Sequence, residues 1–367
     1  MIVKFFDYPR LYSEHKKDFD IIVPKTLKSG RYILQDELLK FENNFKKYIN
    51  SPNVFGVADG TNAILLSLMA LGIGSGDEVI LPSHTYIATA SSVHFTGAKP
   101  ILVECNEDSL IDYDDLLNKI NSRTKAIIPV NLNGRICNMD KILSIVKKYN
   151  LYLIEDSAQG VGGKFKNKFG GTFGHFGTYS FYPAKLLGCF GDGGAITTND
   201  TRLAKKIIEM RDHGRNKAGI VKSWGTNCRL DNFQAKILDF KLKHINTYIK
   251  KRRNIASIYH LRLGNNKNIK LPPKPSNTSD NFDSFQNFEA RFNNRDKLKK
   301  YLAKEGVGTL IQWGGKAVHH FKDLNFKCKL PKTDKFFKEC LLLPMNTFLN
   351  KKQINYVCDK IENFYSK

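Results

Sequence analysis

A chain of 367 residues with 41% hydrophobic content can bury a large core and is expected to divide into one large domain and a smaller one. Its net charge of +23 raises a nucleic-acid partner, but the lysines are spread along the chain and no zinc-finger, RRM or KH signature gathers them, so none is expected. The seven cysteines are odd in number, scattered and free of any Cys-x-x-Cys pair, which speaks against a disulfide framework and against a metal site. No apolar stretch reaches membrane-spanning length, and Met1-Ile2-Val3-Lys4 does not open a signal peptide, so a cytoplasmic protein with no membrane partner is expected. A positive field of this size would still attract a substrate that carries pyrophosphate.

From residue 54 short apolar runs alternate with helical patterns. Val54–Ala58 reads as a strand, and Thr61–Leu71 as a helix with Ile64, Leu65, Leu68 and Met69 on one face. Glu78–Pro82 is a strand, Ile87–Phe95 a helix and Pro100–Glu104 a strand. Ala126–Val130 and Leu151–Glu155 flank a helix around Lys141–Lys148. This rhythm of continuous apolar strands predicts an α/β fold with a mostly parallel sheet covered on both faces. Beyond Gly194 come a strand, Ala195–Thr198, and a helix, Arg202–Arg211. One long helix is then expected, with Leu238, Leu242, Ile245 and Ile249 on its inner stripe. Pro272–Pro275 reads as a turn. Phe288, Ala290 and Phe292 alternate with polar residues as in a half-exposed strand, and helices follow at Arg295–Glu305 and Lys352–Tyr365. The expected division is a large domain over 1–249 and a small α+β domain over 250–367.

Several positions carry chemistry. Asp156 closes the apolar run Leu151–Ile154, so it stands at a strand end facing a ligand crevice. Lys185 is framed by Pro183 and Gly188 and is badly placed for an ordinary solvated charge. A lysine able to form a Schiff base and an aspartate able to hold a pyridinium nitrogen are what pyridoxal phosphate chemistry requires. Gly60-Thr61-Asn62 lies where a strand turns into a helix, a place that favours phosphate, although a plain N-cap threonine is the better reading of these residues in isolation; beside Asp156 and Lys185 the phosphate reading is preferred. Tyr86 follows the next strand and reads either as a ring stacked on a flat cofactor or as one more core aromatic. The glycine-rich stretch Gly170–Gly194 permits close backbone approach.

Five blocks in order resemble one family. They are Gly60-Thr61-x-Ala63, Glu155-Asp156-x-Ala158-Gln159, Ser180-Phe181-x-Pro183-x-Lys185, Gly191-Asp192-Gly193-Gly194-Ala195 and Gly225-x-Asn227-x-Arg229. The chain is similar to the DegT/DnrJ family of pyridoxal phosphate sugar aminotransferases, from Phe41-Glu42 to Leu341–Pro344. That resemblance implies a fold-type I transferase whose large domain holds a mostly parallel seven-stranded sheet. It implies that Lys185 carries pyridoxal 5'-phosphate and shuttles a proton, and that Asp156 holds the pyridine nitrogen protonated. Gln159 would bond the ring hydroxyl, Tyr86 would stack on the ring, and Gly60, Thr61 and Ser180 would cradle the phosphate. Asn227 would reach the phosphate of the neighbouring subunit in a homodimer, with Arg229, Trp313 and His319 toward the substrate.

The implied activity moves an amino group from L-glutamate to a nucleotide-linked keto-sugar. The segment Ser83-His84-Thr85-Tyr86 favours a dTDP-linked 3-keto-6-deoxyhexose, giving a 3-amino sugar for surface glycans. The alternatives are a 4-keto-sugar on UDP, GDP or dTDP, a small phosphorylated ketone, and, remotely, a non-catalytic basic regulatory protein. Two departures stand out. Many relatives have His-Tyr-Pro-x-Pro-x-His where this chain has Trp313-Gly314-Gly315-Lys316-Ala317-Val318-His319, and Cys228 replaces the usual tyrosine or serine.

Overall fold

The computed structural model describes residues 1–366. Its central sheet has seven strands in the spatial order Asn53–Val57, Gly194–Thr198, Phe176–Ser180, Tyr152–Asp156, Thr124–Ile127, Glu78–Pro82 and Lys99–Val103. Gly194–Thr198 runs antiparallel to both of its neighbours. The remaining pairings of this sheet are parallel. Parallel neighbours need crossovers, and the crossover helices clothe both faces.

On one face Ile154, Phe176 and Ile196 pack against Ala63, Ile64, Val93 and Ile207 of the helices Gly60–Ala70, Ile87–Phe95 and Thr201–Met210. Alternation sends Tyr179 and Ala195 to the other face, onto Phe41, Phe45 and Leu238 of the helices Asp36–Ile49 and Asn232–Leu242. Ile80, Ile127 and Leu153 meet Ile142 and Ile145 of the helix Met139–Tyr149 on the same side. The expected mostly parallel, doubly covered sheet is present.

A second core gathers Tyr259, Phe288, Phe292, Leu298, Leu341 and Ile361 around an antiparallel sheet of Ile269–Lys270, Phe288–Phe292 and Cys340–Leu343. Val3 from the N-terminus packs into it as well. The helix Ile245–Leu263 belongs to both cores: Ile245 and Ile249 face the first, Ile255, Tyr259 and Leu263 the second. A division at residue 250 therefore falls inside a continuous helix.

Several local expectations are corrected. The single long helix is two, Asn232–Leu242 and Ile245–Leu263, because His244 leaves helical geometry at φ −100° and ψ 0°. Leu238, Leu242, Ile245 and Ile249 still pack into one core, so the apolar stripe continues across the break. The helix Gly60–Ala70 buries Leu66 as well as Ile64 and Leu68, since it lies between the sheet and two other helices. The strand Phe288–Phe292 is not half-exposed: Glu289 is only 4% accessible, because the helix Pro331–Glu339 lays Phe336 over its polar face. The strand Phe176–Ser180 lies inside the glycine-rich stretch, where no strand is legible from pattern alone.

The helix Asp36–Ile49 is tied to the sheet edge by a buried ion pair. The Gly56 N–H donates to Glu42 Oε1 at 2.7 Å, Arg211 Nη1 donates to the Gly56 carbonyl at 2.9 Å, and Arg211 also pairs with Glu42. Glu42→Ala would leave a buried guanidinium and a peptide N–H unpaired, so it should lower unfolding free energy by about 3–5 kcal/mol in urea titration.

Candidate active site

A cleft of about 740 Å³ opens beyond the carboxyl ends of the parallel strands, lined by Gly60, Thr61, Tyr86, Asp156, Gln159, Ser180, Lys185 and Trp313 among others. Ligands of open α/β sheets bind in this place because the loops that leave the strand ends converge there. The strand Tyr152–Asp156 stays apolar until its last two residues, which point in different directions. Glu155 turns inward and accepts from the N–H groups of Gly171, Phe173 and Gly174 at 2.7, 2.7 and 2.9 Å. It thereby folds the glycine-rich segment, while burial pushes its pKa up against those donors.

Asp156 turns to the cleft floor. Its Oδ2 accepts from Thr89 Oγ1 at 2.8 Å, its Oδ1 from the Ala158 N–H at 3.1 Å, and Thr89 is held by Thr85 at 2.7 Å. Burial pushes its carboxyl pKa up; those hydrogen bonds and Lys185 oppose the shift. Lys185 reaches the same floor from the turn after Ser180, where its N–H donates to the Tyr182 carbonyl at 2.8 Å. Burial pushes the Lys185 amine down to about 8 despite the pull of Asp156. An amine with this pKa is available as a nucleophile near neutral pH.

At one end of the cleft the helix Gly60–Ala70 begins. Asp59 caps it by accepting from the Asn62 N–H at 2.8 Å, and the Gly60 and Thr61 N–H groups have no partner among the described residues. A Cβ on Gly60 would lie 2.9 Å from Ser180 Cβ, so only glycine lets the helix start against the Ser180 strand end. Free N–H groups at a helix start, beside a serine hydroxyl, fit a phosphate. Gln159 Oε1 accepts from the Asn133 N–H at 2.9 Å and from Asn287 Nδ2 at 3.3 Å. Its oxygen is therefore taken; its Nε2 gives one hydrogen to Gln312 Oε1 at 3.5 Å and keeps the other for a ligand oxygen. Tyr86 is 56% exposed on the cleft wall, with its ring 5.5 Å from that of Trp313. The donors, the charges and the glycine cradle together fit pyridoxal phosphate.

Three expected residues lie outside this cleft. Asn227 is exposed on a loop, and Arg229 pairs with Asp212 at 2.9 Å. His319 sits behind the wall, with Ser83 Oγ at 2.7 Å from Nδ1 and Asp334 Oδ1 at 2.8 Å from Nε2. His319, His320 and Asp334 form a cluster close enough to suggest metal ligands. The Ala317 N–H donates to His320 Nδ1 at 3.1 Å, which puts the ring proton on Nε2, where it donates to Asp334 at 2.6 Å. That tautomer makes the cluster a hydrogen-bonded knot and not a ligand set.

Thr89 and Asn133 have no assigned role in the sequence. Thr85 and Thr89 stand four apart at the start of a helix, which could have marked a shared face; nothing local marks Asn133. Asp192, from the block Gly191–Ala195, also lines the cleft.

The sequence matches the DegT/DnrJ/EryC1/StrS aminotransferase family over residues 13–362. The chain belongs to that family. It is 35% identical to dTDP-3-amino-3,4,6-trideoxy-alpha-D-glucose transaminase of Streptomyces venezuelae, covering 99% of this chain and 96% of that protein. It is 36% identical to a protein of Geobacillus stearothermophilus named pleiotropic regulatory protein, over 100% of this chain and 99% of the other. Its fold superposes on the solved structure of S. venezuelae DesV with a TM-score of 0.95 at 34% identity, covering 100% and 99% of the two chains. Other relatives are named for UDP- and GDP-linked sugars. The protein is a fold-type I aminotransferase that uses pyridoxal phosphate.

Modification of Lys185 in the cofactor-free protein by a small amine-reactive reagent, read by peptide mass, should rise with pH and reach half its maximum near pH 8. A midpoint near the ordinary lysine value of ~10.4 would contradict the buried floor.

Proposed function

We propose that this enzyme moves an amino group from L-glutamate to a nucleotide-linked keto-sugar, with a dTDP-linked 3-keto-6-deoxyhexose as the favoured acceptor. The observation that carries the reading is the convergence of Asp156 and Lys185 on one floor, between the free N–H groups of Gly60 and Thr61 and the Tyr86–Trp313 pair. Pyridoxal phosphate, when bound, supplies an electron sink for the bond electrons released at the substrate carbon. Asp156, held by Thr89 and Ala158, keeps a proton on the pyridine nitrogen, whose positive charge in turn favours the ionised carboxylate. The Lys185 amine would move a proton between the substrate Cα and the cofactor's C4′. Gln159 would donate Nε2 to the ring hydroxyl oxygen, and Gly60, Thr61 and Ser180 would hold the phosphate.

A second copy of the chain completes each site in this reading. Asn227 lies on an exposed loop with Ile220, Val221 and Trp224, the last 92% accessible. Large apolar side chains on such a loop support burial against a partner, and a two-fold dimer is the simplest closed arrangement. Asn227 and Arg229 then complete the neighbour's site.

The choice of a 3-keto acceptor draws on Tyr86 and on the names of relatives that act at C3 of dTDP-sugars. The turn Trp313-Gly314-Gly315 supports a different reading at the mouth. Trp313 and Gly314 adopt φ of +55° and +66°, and the space beside Gly314, where a Cβ would meet nothing within 4 Å, supports a 4-keto-sugar or a small phosphorylated ketone. A purely regulatory role fits poorly with an intact set of Lys185, Asp156, Gln159 and Ser180.

Comparison of kcat/KM for C3-amino, C4-amino and small phosphorylated amine substrates in the reverse direction should favour the first; preference for either other class would contradict the acceptor assignment. Lys185→Ala should retain cofactor yet lose turnover by several orders of magnitude. Mixing Lys185→Ala with Asn227→Ala subunits should restore roughly one quarter of the wild-type activity, because one site in each mixed dimer carries neither lesion. No recovery on mixing would count against shared sites.

A further inference from the structure

The catalytic turn is gripped from the second core. Gln286 is 6% exposed and precedes the strand Phe288–Phe292. The Leu186 N–H donates to its Oε1 at 2.6 Å, and its Nε2 donates to the Ala184 carbonyl at 3.0 Å. One amide thus ties down the peptide groups on both sides of Lys185. Gln286 is itself fastened: half-buried Arg252, on the helix shared by the two cores, donates through Nη1 to the Phe285 carbonyl at 3.2 Å and also to the Gln286 carbonyl. The next residue, Asn287, holds the Gln159 amide. Adjacent residues of one segment therefore secure two of the side chains that face the cofactor.

We infer that Gln286 is a positioning residue for Lys185, fixing the turn so that the amine stays on the floor beside Asp156. Lys185 leaves the backbone between two peptide groups, and a rotation of either one swings the whole side chain. In an isolated turn these groups would bond to water and exchange conformations; here the two bonds of a buried amide select one. The inference rests on the assignment of Lys185 as the cofactor lysine.

A merely space-filling role and a positioning role rank two variants in opposite order. Gln286→Met keeps the shape and loses both hydrogen bonds. Gln286→Glu keeps an acceptor facing the Leu186 N–H and introduces a buried charge. Positioning predicts that, in the cofactor-free protein, hydrogen exchange at the Leu186 amide accelerates at least about tenfold in Gln286→Met and stays within about threefold of wild type in Gln286→Glu. In the loaded enzyme kcat with glutamate should fall about 10- to 100-fold in Gln286→Met with KM changed less than about threefold, and Gln286→Glu should be the less impaired. Wild-type exchange and turnover in Gln286→Met, or loss of Leu186 protection in Gln286→Glu, would overturn the inference. The second result stands alone if Gln286→Met does not fold. A wild-type enzyme lacking the absorption band of lysine-bound cofactor would fault the assignment of Lys185 instead, and Leu186 exchange would still judge the clamp.

Discussion

An amine and a carboxylate share one desolvated floor, and neither is comfortable there in its charged form. Burial drives Lys185 toward the neutral amine and Asp156 toward the protonated acid, and their mutual attraction only partly offsets this. The surrounding structure addresses that imbalance in two ways. Thr89 and the Ala158 N–H stabilise the carboxylate by direct donation. A protonated ring nitrogen would supply the missing positive charge while leaving the lysine free. The site is thus electrostatically incomplete in the sense that a pyridinium ring completes it.

The sheet explains why these groups meet. Asp156, Ser180, Tyr86 and Gly60 come from four different strand ends or the loops just beyond them, and parallel strands bring those ends to one edge. A polar network then links the edge to the second core. Glu289 accepts from Asn133 at 2.8 Å, Asn133 accepts from Asn287 and Gln312, and its N–H donates to Gln159. Behind it His84 lies 3.6 Å from Glu289, flanked by Phe336 and Phe337. Burial alone would push the His84 imidazole down; the Glu289 carboxylate and Cys105 together outweigh it and pull the pKa up to about 10. A charged pair sealed this deeply contributes geometry more than net stability, because desolvation consumes much of the attraction.

Most of the large-domain architecture was legible in the sequence because its strands are continuous apolar runs bounded by turn residues. Asp156 and Lys185 were legible for a related reason: each interrupts a local pattern that gives it no structural excuse. What stayed hidden depends on distance in space. Glu289 looks like the outward residue of an alternating strand until Phe336 covers it, and the break at His244 interrupts a periodicity that continues across it. Gln286 has no local signal, since its partners lie a hundred residues upstream. The strand Phe176–Ser180 is masked by flanking glycines, whose folding is directed by Glu155 from another strand.

Lys185 is the residue we propose to hold the cofactor. Borohydride reduction of the loaded enzyme, followed by proteolysis and mass analysis, would fix the cofactor to whichever amine carries it. The adduct is expected on Lys185 alone. An adduct on any other lysine, or none after reduction of active enzyme, would contradict it.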